Sequence, residues 1–112
     1  PHPPIVLGTL ASEWGRKRTA EHADGWIPLA SVHGDGLAKD IEDFHQKLRE
    51  VGRDPADVPV SVCDNQPTDR DTLKRLADLG TVYRAIPRCP TEDKASVLRW
   101  MDDYAKLIDE VA

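Results

Sequence analysis

The sequence has no long apolar segment. None of its runs approaches the roughly 20 apolar residues that are needed to cross a bilayer. The amino-terminal residues also lack the basic stretch followed by an apolar one that marks a secretory signal peptide. These absences predict a cytoplasmic protein with no membrane partner.

Cysteine is equally scarce. The chain has two, Cys63 and Cys89, and neither belongs to a C-x-x-C pair or to a Cys/His cluster with metal-ligand spacing. Two isolated cysteines in a chain of this kind are typical of free thiols and not of a disulfide framework or a zinc site. We therefore predict no metal centre.

Basic residues are outnumbered by acidic ones. Fifteen Lys and Arg against twenty Asp and Glu leave a net charge of −5. The one dense basic cluster, Arg16-Lys17-Arg18, is interpreted as the solvated face of a helix. A nucleic-acid-binding protein is expected to carry a basic face, so we predict no nucleic-acid partner.

What the chain does contain is an alternation of short apolar runs and helical segments. The apolar runs cover residues 5–7, 26–29, 58–62 and 82–86, and each is followed by a segment with helical spacing. Strands that alternate with amphipathic helices favour right-handed crossovers and a parallel sheet. The sequence therefore predicts a single α/β domain over residues 1–112, with four βα repeats and parallel strands. Because a closed barrel takes about 250 residues, four repeats form either half of a TIM barrel or a small open parallel sheet covered by helices.

The second and fourth helices carry the clearest apolar faces. The second is expected to bury a stripe that ends before Gly52, a residue suited to a helix C-terminus. This stripe consists of Leu37, Ile41, Phe44, Leu48 and Val51. The fourth helix is predicted to be capped by Thr91 and to turn one face toward the core. That face consists of Val97, Leu98, Met101, Tyr104, Ala105 and Ile108. Ser12 and Thr68 are the predicted caps of the first and third helices.

The candidate binding residues follow the strands. In a βα-repeat fold the carboxyl ends of the strands share one face, and sites form there. Gly8, Thr9 and Ser12 follow the first apolar run, where glycine permits close approach and where hydroxyls and free amides at a helix N-terminus donate hydrogen bonds. We predict that these three residues hold a phosphate. Arg88, after the fourth strand, is the candidate for a charge-assisted hydrogen bond to the same anion.

Other side chains leave alternatives open. His33 follows the second strand and is the best placed of the four histidines for acid–base chemistry, although a solvated loop histidine is the commoner case. A small phosphate-binding enzyme that uses His33 and Arg88 is therefore a further hypothesis. Trp14, Trp26 and Trp100 are interpreted as core or interface aromatics.

Several pieces of sequence follow one another in an order and spacing typical of one family. The pieces are PPIVLG, RTAEHADGWIP, the helix that ends VGRDP, VPVSV, LADLGTVYRAIP and VLRWMDDYAKLI. In this order they resemble the luciferase-like monooxygenase family, particularly its coenzyme F420-dependent oxidoreductase branch. The combination of ADGWIP with a downstream GRDP is the most specific part of the resemblance.

The resemblance implies a fold and a cofactor. Members of that family are TIM barrels that bind a flavin or deazaflavin at the carboxyl face of the strands and carry out hydride transfer or oxygenation. The resemblance covers their last four βα units, in which the turn matching Gly8 and Thr9 helps to hold the cofactor phosphate. It thus implies coenzyme F420 or FMN as cofactor. No stretch matches the family's N-terminal half, which supplies most of the isoalloxazine pocket, so no catalytic residue is carried over.

Two functional hypotheses follow. The first is the C-terminal half-barrel of a luciferase-like, flavin- or F420-dependent oxidoreductase or monooxygenase that contributes to cofactor phosphate binding. The alternative is a non-catalytic, truncated α/β module that self-associates or binds a protein partner. A homodimer or a higher homo-oligomer is expected, because an isolated half-barrel leaves apolar strand edges and faces uncovered.

Overall fold

Four strands and four helices alternate along the part of the chain that the structure describes. The computed structural model describes residues 2–29, 36–63, 69–90 and 92–111. The strands are β1 (Val6–Thr9), β2 (Gly25–Pro28), β3 (Val60–Cys63) and β4 (Val82–Ile86). The helices are α1 (Glu13–His22), α2 (Gly36–Glu50), α3 (Arg70–Leu79) and α4 (Lys94–Val111), and a short 3-10 turn, Pro55–Asp57, precedes β3. The predicted α/β fold with four βα repeats is confirmed.

The strands form one open, parallel sheet in the order β1-β2-β3-β4. β1 and β2 pair from Val6 with Gly25 to Thr9 with Pro28, and the register of β3 and β4 shifts between Val60 and Ser61. Because chain neighbours are also sheet neighbours, right-handed crossovers place the helices on one face. The radius of gyration is 15.3 Å, against about 13 Å for a compact domain of this length. The architecture is consistent with half of a barrel.

The core lies between the sheet and α2. Trp26 of β2 and Phe44 of α2 are fully buried, and their ring centroids are 4.4 Å apart. Buried apolar side chains of the neighbouring elements surround them, namely Leu37, Ile41, Leu48, Val58, Val60, Val62 and Leu76. The α2 stripe is thus confirmed at four of its five positions. The fifth, Val51, lies in the turn after the helix and is exposed.

Among the described residues, no helix covers the other face of the sheet. Side chains alternate across a strand, so Val6, Ile27 and Ile86 point away from the helix layer that contains Trp26. Val6 is 50% exposed and Ile86 38% exposed. Parallel sheets are ordinarily packed on both faces. The bare face is therefore the main structural consequence of the arrangement of the four described βα units.

The end of α2 follows the predicted glycine signal. Gly52 adopts the left-handed conformation, with φ +79°. The Arg53 amide donates to the Leu48 carbonyl at 2.9 Å, and the Gly52 amide donates to the Arg49 carbonyl at 3.0 Å. This pair of bonds is a Schellman motif, which satisfies the last carbonyls of the helix.

The caps of α3 and α4 differ from those predicted. The Asp69 carboxylate caps α3 by accepting a hydrogen bond from the Thr72 amide at 2.8 Å. Asp93 immediately precedes α4, and its carboxylate accepts one from the Ser96 amide at 2.7 Å. Thr68 and Thr91, the predicted caps, lie outside the described residues. Asp and Thr are both good N-caps, so the local pattern could not decide between candidates one or two residues apart.

The predicted core face of α4 is not buried, and this expectation was wrong. Leu98, Met101 and Ile108 are each about half exposed, and no described residue of α4 is buried. The helix packs along α3, where Arg70 forms an ion pair with Glu110 at 3.2 Å. The apolar stripe is present, but β4 is an edge strand, so among the described residues no further βα unit covers the stripe.

Replacing Trp26 with Ala is expected to lower the free energy of unfolding by about 3–5 kcal/mol, because it removes a fully buried indole from the centre of the core. Trp14 is the matched control, since its side chain is 67% exposed. At concentrations at which the chain is monomeric, Trp14→Ala should change the free energy of unfolding by no more than about 0.5 kcal/mol. Urea denaturation followed by circular dichroism measures both values, and equal losses would contradict this placement of the core.

Candidate functional site

The carboxyl ends of the strands form a rim that is described in part. Residues 10–12 follow β1, Cys63 ends β3, and residues 87–90 follow β4. The candidate acid–base residue His33 lies outside the described residues. Cys63 and Cys89 are half-buried free thiols, as predicted. The β1–α1 turn and the segment after β4 therefore hold all the predicted phosphate ligands.

Thr9 points into the layer between the sheet and α1. Its hydroxyl accepts a hydrogen bond from Trp26 Nε1 at 2.8 Å and lies 3.2 Å from the Thr19 hydroxyl. Thr19 in turn donates to the Gly15 carbonyl at 2.7 Å. This network ties β1, β2 and α1 together. An anion at the turn would therefore meet the main chain of Thr9 and not its hydroxyl.

Gly8 presents open backbone on the bare face of the sheet. It is exposed, and a Cβ built on it would lie 3.9 Å from its nearest neighbours, which are the Ile27 carbonyl and the Leu29 side chain. A ligand can therefore approach the main chain closely at this point.

Ser12 is the N-cap of α1, as predicted. Its hydroxyl accepts a hydrogen bond from the Gly15 amide at 3.1 Å. The amides of Glu13 and Trp14 are the other donors of the first turn, and such amides point out of the helix end. Glu13 already brings a negative charge to this helix end, which reduces its attraction for an anion.

Gly15 fixes how closely α1 approaches the turn. A Cβ at this position would lie 2.3 Å from the Leu10 carbonyl oxygen and 3.2 Å from the Thr9 and Ser12 hydroxyl oxygens. No side chain fits in that space. Gly15 is therefore required by the contact between α1 and the end of β1.

Arg16 adds a cation that the sequence pattern did not reveal. It was interpreted as part of a solvated face, yet its guanidinium donates to the Ala11 carbonyl at 2.7 Å. Helical side chains lean toward the N-terminus of their helix, so a cation four residues after the cap reaches back to the turn. That spacing is the signal by which Arg16 could have been found.

Arg16 also acts on Asp43 of α2. A hydrogen bond from Lys39, 2.6 Å long, holds the pKa of Asp43 below its usual value. Burial opposes this effect, whereas the charges of Lys39 and Arg16 add to it. Arg16 is thus shared between the β1–α1 turn and the contact of α1 with α2.

Arg88 lies at the opposite edge of the sheet from Gly8. It is exposed and follows β4, whereas Gly8 belongs to β1. Three strand spacings separate these strands, which corresponds to about 14 Å along the sheet. The structure therefore does not bring Arg88 beside the β1–α1 turn, and a ligand that contacts both has to span the rim.

The described part of the rim contains groups of the kinds that bind anions in proteins. It offers first-turn amides, the open backbone of Gly8 and the guanidinium groups of Arg16 and Arg88. In the ranges that the structure describes, no three His, Cys, Asp or Glu side chains are grouped to hold a metal ion.

A cavity of about 420 Å³ lies at the amino-terminal ends of β3 and β4, away from the rim. His45, Pro59, Gly80 and Tyr83 are among its lining residues. Burial lowers the pKa of His45, with a smaller opposing effect of Glu42. This end of a βα-repeat fold ordinarily serves stability, so we assign the cavity no ligand.

The fold defines a parallel βα-repeat module. The sequence model of the luciferase-like monooxygenase family matches residues 1–78, which is well over half of the 112 residues. The chain belongs to this family. The match ends within α3, so β4 and α4 lie beyond it. Searches of curated proteins and of solved structures found no match. Within the described ranges, every helix is too short or too polar to cross a membrane.

Gly15→Ala is expected to destabilise the protein by about 1–3 kcal/mol, although alanine is the better helix former, because the new methyl group meets the Leu10 carbonyl. Gly36→Ala is the matched control. A Cβ at Gly36 meets nothing within 4 Å, so this change should be neutral or stabilising by up to about 1 kcal/mol. Thermal unfolding of both variants measures the contrast. A Gly15→Ala protein as stable as the Gly36→Ala protein would contradict the close approach of α1.

Stability should fall as the pH drops below about 6.5, the pKa of an unfolded histidine. Burial lowers the pKa of His45 in the folded state. As the pH falls, His45 therefore takes up a proton in the unfolded chain before it does so in the folded chain, and this protonation stabilises the unfolded state. The stability that neutral, buried His45 contributes to the folded state is complete above about pH 6.5, and it is lost as the pH falls toward the pKa of His45 in the folded state. His45→Gln should flatten this part of the pH profile of urea unfolding. Identical slopes for the two proteins would show that His45 is not the titrating group.

Proposed function

We propose that this chain is the C-terminal half-barrel of a luciferase-like, FMN- or F420-dependent oxidoreductase, and that its rim helps to bind the cofactor phosphate. The observation that carries the proposal is an open, four-stranded parallel sheet in a chain of this family. Half of an eight-stranded barrel has this form. The order of the sequence pieces, from PPIVLG to VLRWMDDYAKLI, supports the C-terminal half.

The described residues fit a phosphate in two places. The first is the β1–α1 turn, where Gly8 leaves the backbone open, Ser12 caps α1 and Arg16 supplies positive charge. The second is the segment after β4, with Arg88. TIM barrels frequently bind phosphate in the loops after strands seven and eight. If the four units are the last four of a barrel, β4 is the eighth strand, which favours Arg88 as a phosphate ligand.

The roles of these residues are confined to binding and orientation. A bound flavin or deazaflavin would supply the hydride-transfer chemistry. Arg88 would neutralise phosphate charge, while the Gly8 backbone and the first-turn amides of α1 would orient a polar part of the cofactor. Thr9 and Trp26 keep β1, β2 and α1 in register behind this surface. No residue of this chain is assigned to proton transfer.

Titration of the chain with FMN and with F420, followed by cofactor fluorescence anisotropy, tests this proposal. Riboflavin, which lacks the phosphate, should bind at least about tenfold more weakly than FMN if the phosphate is a main contact. Arg88→Ala should weaken FMN or F420 binding by a similar factor. Arg49→Ala is the matched control, because Arg49 is exposed at the far end of α2 and pairs with Glu42. If neither cofactor binds, the proposed cofactor role is wrong, and membership of the family reflects common ancestry alone.

A second candidate function is a non-catalytic module that binds a partner. The bare sheet face and the exposed stripe of α4 favour it, because uncovered apolar surface of this kind is an interaction surface. The absorbance spectrum of the purified protein separates the two candidates. Bound flavin or deazaflavin absorbs in the near-ultraviolet or visible range, whereas a protein-only spectrum favours the module.

A further inference from the structure

Exposed apolar side chains are concentrated at the two ends of the βα array. Nine of the eleven large apolar side chains that are exposed in the described residues belong to the first or the last unit. The leading edge consists of Ile5, Val6, Leu10 and Trp14, and the trailing edge consists of Tyr83, Ile86, Leu98, Met101 and Ile108. Single exposed apolar side chains are ordinary, whereas contiguous groups mark an interaction surface.

The edge strands at the two ends also have the strand direction that is needed to pair with each other. β1 and β4 are the edge strands of a sheet in which every pair is parallel. If β4 of one copy lies beside β1 of a second copy, the parallel order continues without reversal. A two-fold axis along the barrel then generates the same junction twice. Two copies supply eight strands, the number whose closed barrel is filled by side chains.

Charge distinguishes the two edges and favours their pairing with each other. On α1, Lys17 and Arg18 lie beside Trp14, and the Arg18 guanidinium is 5.0 Å from the centre of the Trp14 ring. On α4, Asp102 and Asp109 border the exposed apolar stripe, since they follow Leu98 by four and eleven residues, and Lys94, four residues before Leu98, borders it at the start of the helix. In the two-fold arrangement, α4 of one copy lies next to α1 of the other. Basic and acidic groups then face each other around apolar contacts.

We propose that the partner of both edges is a second copy of this chain, and that two chains close an eight-stranded parallel barrel through two β4–β1 junctions. The closure buries the leading and trailing edges against each other. It also brings the bare sheet faces together, so that Val6, Ile27 and Ile86 become interior side chains. The inference does not rest on cofactor binding and is tested without any cofactor.

Sedimentation equilibrium of the full chain over a range of concentrations tests the closure. The expected species is a dimer with twice the 12.5 kDa mass of one chain. Val6→Asp at the leading edge and Met101→Asp at the trailing edge should each raise the dimer dissociation constant at least about tenfold, because each substitution occurs in both junctions. Val51→Asp is the matched control, since Val51 is an exposed apolar side chain away from both edges, and it should dimerise like the parent.

Circular dichroism establishes that each variant is folded. Trp14→Asp provides a second leading-edge variant, because a side chain that is 67% exposed makes little contribution to the fold of one chain. A chain that stays monomeric at every concentration overturns the proposal. If substitutions at only one edge weaken the dimer, the two copies associate face to face, and the proposal of barrel closure is overturned too. Species that grow beyond a dimer indicate edge pairing without closure and also contradict it.

Discussion

The sheet has four parallel strands connected in order, and this constraint governs the rest of the structure. Such connections place every helix on one face. The covered face holds the core around Trp26 and Phe44, and no described residue outside the sheet covers the other face, which lies between the edge strands β1 and β4. The exposed stripe of α4 has the same cause, because β4 is an edge strand and no described element lies on its outer side. One topological fact thus accounts both for the packed interior and for the uncovered surface.

Two of the sequence pieces that resemble the family, VGRDP and ADGWIP, contribute hydrogen bonds and packing to this architecture. In VGRDP, the Arg53 guanidinium donates to the Ala20 and Ala23 carbonyls at 2.9 and 2.7 Å, which satisfies the C-terminal end of α1. In ADGWIP, the Asp24 carboxylate accepts a hydrogen bond from the Ile5 amide at 2.8 Å, and Trp26 enters the core. Because Ala23 is the first residue of ADGWIP, the Arg53 bond joins the two motifs directly at the end of α1.

Local signals in the sequence predicted the elements, and they failed where a contact depends on distant groups. Ser12 and Gly52 act at their own helix ends, so their roles could be predicted. The apolar periodicity predicts that α4 is amphipathic, but it does not reveal which surface the apolar stripe packs against. Thr9 was predicted to bind a phosphate because hydroxyls suit one, whereas its link to Trp26 joins residues 17 positions apart. The distance between Gly8 and Arg88 likewise depends on the strand order, which no single motif encodes.

Amide hydrogen exchange as a function of protein concentration tests the central claim, that the sheet is half of a barrel with two open edges. In dilute solution the outward amides of β1 and β4 should exchange much faster than those of β2 and β3, because edge groups lack a partner. Both edges should gain protection together as the concentration rises, while β2 and β3 stay unchanged. Equal protection of all four strands at the lowest concentration, with no dependence on concentration, would contradict the account.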